Sequence, residues 1–304
     1  MKLVVTGTIG IDTVHTPRER RESLPGGSAC YFAAAASLLA PVRLVAVVGE
    51  DWPDSHEQAL RSFPQIDLRG LERRAGARTF AWGGRYLADP NQRETLFTEV
   101  GVLAAAPPPV PREFADSQLV FLANTHPMVQ LNFLSQFPAR QLVVADTMNL
   151  WIATARTELM QLIGRVDGLV LNDAEARQLT DCPNAVSAAR EILSRGPRFV
   201  IVKKGEHGAV LVHRDGLAVV PAFPADESQI VDPTGAGDAF AGGLMAHLSN
   251  TGDFSLKGLQ SAMAWGTVVA SFTIESFGLE RLQALGATDL KTRHEALREM
   301  ARFA

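Results

Sequence analysis

Short apolar runs recur along this chain with room for a helix between most of them, and that alternation limits the fold more than any other property of the sequence. Leu3 to Thr6, Val42 to Val48, Leu119 to Leu122, Leu142 to Ala145, Gly168 to Leu171 and Phe199 to Val202 are rich in Val, Leu and Ile without polar alternation. Such runs suit strands buried on both faces. Helical patterns lie between several of them, at Ser28 to Leu39, Trp151 to Ile163 and Asp173 to Leu179. A sheet that is apolar on both faces must be covered on both faces, so the chain is expected to be α/β, with a mainly parallel central sheet flanked by helices.

A different texture interrupts the pattern from Asp67 to Val100. The stretches ARTFAWGGRYLAD and QRETLFTEV alternate apolar with polar residues and are separated by Asp89-Pro90-Asn91, a turn signal. They predict a small β-lid built from segments at about 11–25 and 67–100, with the proline-rich 104–111 as a stiff return to the main sheet. The chain as a whole, 1–304, is expected to form a single domain, since α/β folds commonly use this length around one sheet.

A net charge of −4 offers no footprint for nucleic acid, and Arg18, Arg20 and Arg21 alternate with Glu19 and Glu22 as in a solvated loop. No apolar run is long enough to span a bilayer, so no membrane partner is expected. Cys30 and Cys182 lie in unrelated contexts, and MKLVVTGTIGID lacks the apolar core of a signal peptide. Together these point to a cytoplasmic protein.

Residues 230 to 243, IVDPTGAGDAFAGG, carry the most chemistry. Gly235 and Gly237 let backbone N–H groups approach a ligand closely, and the helix that follows presents unsatisfied amides and a positive dipole end. Phosphate suits such a cradle. Two accounts fit Asp238 in it: an acid in the first turn of a helix, or a group that takes a proton from an attacking hydroxyl. The loop is no Walker A motif, for which no stretch of the chain qualifies. It is no dinucleotide fingerprint either, because Phe240 stands where a third glycine is needed.

This string resembles the C-terminal signature of the PfkB, or ribokinase-like, family of carbohydrate and nucleoside kinases. Other elements follow that family's order: Asp12 after the first strand, Gly26-Gly27 before a helix, the lid, Asn172-x-x-Glu175, and the VKKGEHGAV turn. The resemblance implies a ribokinase-like fold. It also implies transfer of the γ-phosphoryl group of ATP to a hydroxymethyl group of a small-molecule sugar or sugar derivative. Nucleoside 5'-phosphorylation is the alternative, and a non-catalytic ligand sensor the remote one. In this reading Asp238 is the general base, and the Gly235, Ala236 and Gly237 amides stabilise the transferring group. Asn172, Lys203, Gly205 and Thr234 serve the nucleotide, and Glu175 holds Mg²⁺ through water. ATP and Mg²⁺ are the implied cofactors, with a monovalent cation left open.

On the acceptor side the resemblance implies Asp12, Gly26 and Gly27, although a turn capped by Ser28 explains the glycine pair equally well. Tyr31 stands where many sugar kinases of the family carry Asn, and it can hydrogen-bond, stack on a substrate ring or pack. Asp146 and Asn149 follow a strand end, where open α/β sheets bind ligands. Arg85 and Trp82 on the lid are candidate substrate contacts or solvent-facing lid structure. The adenine pocket is expected to draw on Val220 to Phe223 and Ala262 to Phe272. The lid edge offers a route to a homodimer. His and Cys spacing supports neither a zinc site nor a G-x-S-x-G hydrolase.

Overall fold

The computed structural model describes residues 1–302. In chain order the strands are β1 (Leu3–Thr6), β2 (Gly10–His15), β3 (Arg20–Gly26), β4 (Val42–Gly49), β5 (Ile66–Arg74), β6 (Phe80–Tyr86) and β7 (Arg93–Glu99). They continue with β8 (Leu119–Leu122), β9 (Leu142–Asp146), β10 (Gly168–Asn172), β11 (Phe199–Lys203), β12 (Ala209–His213) and β13 (Gly216–Val220). The helices are α1 (Ser28–Ser37), α2 (Asp54–Arg61), α3 (Pro127–Leu134), α4 (Asn149–Thr154), α5 (Arg156–Ile163), α6 (Asp173–Thr180), α7 (Ala185–Leu193), α8 (Ala236–Thr251), α9 (Leu256–Thr273), α10 (Glu280–Gln283) and α11 (Ala287–Met300).

Nine strands form the main sheet in the order β13-β12-β11-β10-β9-β8-β1-β4-β5, parallel from β11 to β5 and antiparallel only at the β11-β12-β13 end. Alternate side chains of each strand feed two cores, as a sheet apolar on both faces requires. One core packs Leu3, Val5, Phe121 and Val144 under α1, α8 and α9; the other packs Val4, Val120, Val143 and Leu169 against α3, α5, α6 and α7. α1 is buried along its whole length. The six expected strands and the mainly parallel arrangement are present, and the expected helix from Trp151 to Ile163 is broken at Ala155 into α4 and α5.

A second sheet, β3-β2-β6-β7, stands apart from the first. It starts later than the lid segment expected from 67: Ile66–Arg74 pairs in parallel with β4 at the edge of the main sheet. The reason is that IDLRGLERR sets Ile66, Leu68 and Leu71 against the core with charges between them, a pattern any edge strand satisfies. The β12-β13 hairpin was not among the expected strands either, although Asp215-Gly216 between two apolar runs carries its signal.

Candidate active site

Parallel α/β sheets open a crevice beyond the carboxyl ends of their strands, because successive connections there leave in different directions. Asp146, Asn172 and Lys203 are the last residues of the neighbouring strands β9, β10 and β11. Lys203 Nζ donates to Asp146 Oδ2 at 3.2 Å, and Thr147 N donates to Asp146 Oδ1 at 2.7 Å. Burial works against the Lys203 ammonium, yet Asp146, Glu175 and Asp238 hold it above the ordinary lysine value. The buried Gln130 amide fixes this corner by donating to the carbonyls of Leu122, Ala123 and Asp146.

Asn172 caps α6 in a reciprocal box: Glu175 N donates to Asn172 Oδ1 and Asn172 N donates to Glu175 Oε2, both at 2.8 Å. One Glu175 oxygen is thereby engaged and the other is free. Burial first, and the Asp146 charge second, push its carboxyl up to about 7.

At the start of α8, Gly235 adopts φ 77°, a left-handed conformation natural to glycine, and no side chain caps the helix. A Cβ at Gly235 would overlap the Tyr31 ring, so that ring is the floor of the loop. A Cβ at Gly237 would lie 2.9 Å from Lys203 Nζ, which places the ammonium over the loop's other side. Asp238 is partly accessible and makes no side-chain hydrogen bond among the described residues. Burial first, then the Asp146 charge, raise its carboxyl to about 8 against the opposing pull of Lys203 and Arg93. An uncapped helix N-terminus, a lysine and a proton-hungry carboxylate therefore meet at one place.

The other side of the crevice is built on Asp12. Its β2 strand pairs with β3, and Gly26 must be glycine because a Cβ would overlap the Asp12 carboxyl. Gly27, at φ 93°, begins α1 and gives its N–H to Asp12. Asp12 is 3% exposed, and its Oδ1 has no partner among the described residues. Burial first and Asp232 second raise this carboxyl to about 7. A buried carboxylate with a spare oxygen is placed to accept from ligand hydroxyls.

Strand register decides which lid residues face the crevice. β2 pairs with β6 so that Asp12 lies beside Trp82 and Val14 beside Gly84, while β7 sets Arg93 opposite Tyr86 and Glu94 opposite Arg85. Asp12, Trp82, Tyr86 and Arg93 thus share one face. Arg85 is on the other, exposed and 3.8 Å from Glu94, because alternate residues of a strand point to opposite sides. Arg85 is therefore not brought to the acceptor side. Arg93, absent from the sequence expectations, takes that place with its guanidinium 4.9 Å from the centre of the Trp82 ring.

The lid is fastened to the opposite wall. Thr234 Oγ1 donates to Tyr86 Oη at 3.1 Å, and Asn91 at the lid tip donates to Glu206 beside Gly205. Arg18 at the β2-β3 turn donates to the carbonyls of Glu227 and Ser228.

Three further expectations change. Tyr31 is 1% exposed and packs beneath Gly235 rather than lining the acceptor space, since α1 is buried all round. Asp146, expected with the acceptor, pairs with Lys203. Asn149 is exposed at the start of α4, its carbonyl accepting from Gln178, and no contact joins it to Asp238. In the region expected for adenine, the Arg293 guanidinium stacks on Phe223 and Phe272 and is held by Glu275 at 2.7 Å. Among the described residues no group of three or more His, Cys, Asp or Glu is arranged to hold a metal, and no helix is long and apolar enough to cross a membrane.

A mainly parallel sheet with a β-lid closed over an uncapped glycine loop defines a phosphoryl-transfer cleft of the ribokinase-like fold. The pfkB family carbohydrate kinase model matches residues 2–283, and the chain belongs to that family of ATP-dependent phosphotransferases. It is 33% identical to a cytidine kinase of Thermococcus kodakarensis over 253 residues, 82% of this chain and 89% of the relative. The aminoimidazole riboside kinase of Salmonella enterica, complexed with aminoimidazole riboside and an ATP analogue, superposes with a TM-score of 0.79 at 19% identity over 97% of this chain and 100% of that one. An E. coli structure in complex with ATP and Mg²⁺ superposes with a TM-score of 0.76 at 18% identity, covering 97% and 99%. At those identities the superpositions carry the fold alone.

Proposed function

We propose that the cleft transfers the γ-phosphoryl group of ATP to the 5'-hydroxymethyl group of a ribonucleoside. The acceptor oxygen attacks phosphorus, the bond to the ADP oxygen breaks, and the hydroxyl proton passes to Asp238. The Gly235, Ala236 and Gly237 amides and Lys203 face the charge on the transferring group, with Thr234 fastening the loop to the lid. Asn172 and Gly205 border the nucleotide. Asp12, with Gly26 and Gly27, accepts from the ribose hydroxyls. The lid excludes water, the competing acceptor.

The observation that carries the acceptor side is Asp12: a buried carboxylate with one unpartnered oxygen, in register with Trp82 on the same face. A diol acceptor beside an aromatic wall suits a ribose bearing a base. The extended similarity to a cytidine kinase supports the same reading. Free sugars are the second reading, since Asp12 would serve any diol and the family's model is one of carbohydrate kinases. Screening ribonucleosides and free sugars by ADP release separates them. Cytidine or another ribonucleoside should give the highest kcat/KM, and turnover confined to free sugars would refute the nucleoside assignment.

Mg²⁺ fits the residues present. Glu175 keeps one oxygen free near Asp146, too few ligands for a protein cage but suited to an ion held by phosphates and water. There it neutralises phosphate charge. A monovalent cation is retained as an activator, supported by the buried Asp232 Oδ2, which has no partner among the described residues. Equal rates in K⁺ and tetramethylammonium buffers would remove it. A lid-to-lid homodimer is supported by exposed Leu96 and Phe97 on the edge strand β7, and sedimentation velocity tests it. Two free cysteines support a reducing, cytoplasmic setting.

A further inference from the structure

The strand that carries Gly26 and leads into Gly27 is irregular just before it reaches them. Asp12 pairs with Leu24 but Val14 pairs with Arg21, so Glu22 and Ser23 of β3 together stand opposite Thr13. Such a bulge bends the strand and re-aims the residues beside it. Ser23 takes φ 53° there, a left-handed conformation that a non-glycine residue keeps only where its surroundings hold it.

What holds it lies outside the lid. His56, 6% exposed in α2, donates from Nε2 to the Ser23 carbonyl at 2.8 Å. A carbonyl only accepts, so the proton sits on Nε2 and the tautomer is fixed. Burial holds the ring below the ordinary histidine value, and Nδ1 is buried with no partner among the described residues, so a second proton is unwelcome. The ring meets the buried Trp52 indole in a T-shaped contact with centroids 5.0 Å apart. This corner of the main body is fixed in turn: Arg73 of β5 donates to the Trp52 carbonyl at 2.8 Å and to Glu57 of α2 at 3.0 Å.

The consequence runs along β3 into the cleft. Leu24, next after the bulge, packs with Val14, Trp82, Tyr86 and Phe277 under the lid and lies beside Asp12 in register. Two residues further, Gly26 meets the Asp12 carboxyl where no Cβ fits, and Gly27 gives its N–H to the same group. A slip of β3 by one residue would bring Pro25 to that place. We propose that His56 is a positioning residue for the acceptor: by gripping the Ser23 bulge from the main body, it sets the register in which Asp12, Gly26 and Gly27 meet the acceptor's hydroxyls. The inference rests on Asp12 as the acceptor's anchor and holds for a sugar as well as for a nucleoside.

The test uses the full chain and whichever sugar or nucleoside turns over fastest, with KM for acceptor and for ATP measured separately. His56→Phe keeps a ring against Trp52 but loses the donor. It should raise the acceptor KM by roughly tenfold, about what one net hydrogen bond supplies, and leave the ATP KM within about threefold of wild type. His56→Gln, whose amide can reach the same carbonyl, should restore the acceptor KM to within about threefold of wild type. Ser23→Val puts a β-branched residue at positive φ and should reproduce the loss seen in His56→Phe. Asp12→Asn is the reference and should raise the acceptor KM by roughly 10- to 100-fold, the range for hydrogen bonds to a charged group. An unchanged acceptor KM in Asp12→Asn would sink the anchor and the inference with it. With the anchor upheld, an unchanged acceptor KM in His56→Phe, an equal loss in His56→Phe and His56→Gln, or a lowered Tm with both KM values unchanged would overturn the inference alone. Should His56→Phe fail to fold, a normal acceptor KM in Ser23→Val would refute it equally.

Discussion

Replacing Asp238 with Asn should cost activity and add stability, and both magnitudes follow from the surroundings of one carboxyl. Burial and the Asp146 charge hold it at about 8 against an ordinary 3.8. At about 1.4 kcal/mol per pH unit, ionising it fully in the folded ligand-free protein costs about 6 kcal/mol as an upper bound. Asp238 is partly accessible, and neighbouring acids relax when it is neutral, so a net gain of roughly 2 kcal/mol from Asn is the better expectation. For a chain of 304 residues that corresponds to a rise in Tm of roughly 3 °C. The sign follows from the raised value. A carboxyl raised on folding contributes stability below its unfolded value and loses it as pH rises through its folded value. The advantage of Asn should thus be greatest at pH 8 and above and fade as the pH falls towards 4. Turnover should fall by about 10²- to 10⁴-fold, the usual contribution of a general base. The acid limb of wild-type kcat/KM should turn near 8, not near 4. Differential scanning calorimetry across pH and steady-state ADP release read the two effects separately. An Asn variant no more stable at pH 8 than wild type would refute the burial argument, and near-normal turnover would refute the role as base.

Other perturbations separate loop from lid. Gly237→Ala meets only the flexible end of Lys203, so it should fold normally and bind nucleotide more weakly, whereas Gly235→Ala forces a left-handed residue onto the Tyr31 ring and should lower Tm; isothermal titration and calorimetry distinguish them. Tyr31→Phe removes a buried hydroxyl without a partner, so stability should hold or rise and turnover stay within about threefold, measured on the same preparation. Asn91→Ala breaks the latch to Glu206 and should raise ATP hydrolysis without acceptor relative to transfer, seen as ADP formed in excess of phosphorylated product.

Where local chemistry decides structure, the sequence was readable. The parallel strands announced themselves because strands covered on both faces are apolar throughout, and the Asp232–Asp238 loop because phosphate binding needs glycine, a helix start and an acid in a set order. Gly26 and Gly27 gained their physical reasons only in three dimensions, one from the Asp12 carboxyl and the other from a positive φ. What stayed hidden depended on register. RYLAD and RETLF each offer an arginine on an alternating strand, and the faces they take are set by pairing across β2, β6 and β7, with an irregularity between Gly83 and Gly84. A slip of one residue exchanges inside for outside, so the choice of Arg93 over Arg85 could not be read from spacing. Tyr31 was ambiguous for a similar reason: a helix buried on every side has no polar face to reveal which way position 31 looks.

In the proposed reaction the γ-phosphate moves from ATP to a nucleoside hydroxymethyl group over Asp238. Single turnover with ³²P-labelled γ-ATP and cytidine, with the product resolved by chromatography and its phosphate position assigned by NMR, tests it most directly. Label should appear in the 5'-monophosphate with the wild type and almost not at all with Asp238→Asn. Label appearing only in inorganic phosphate, or on cytidine at equal rates in both proteins, would contradict it.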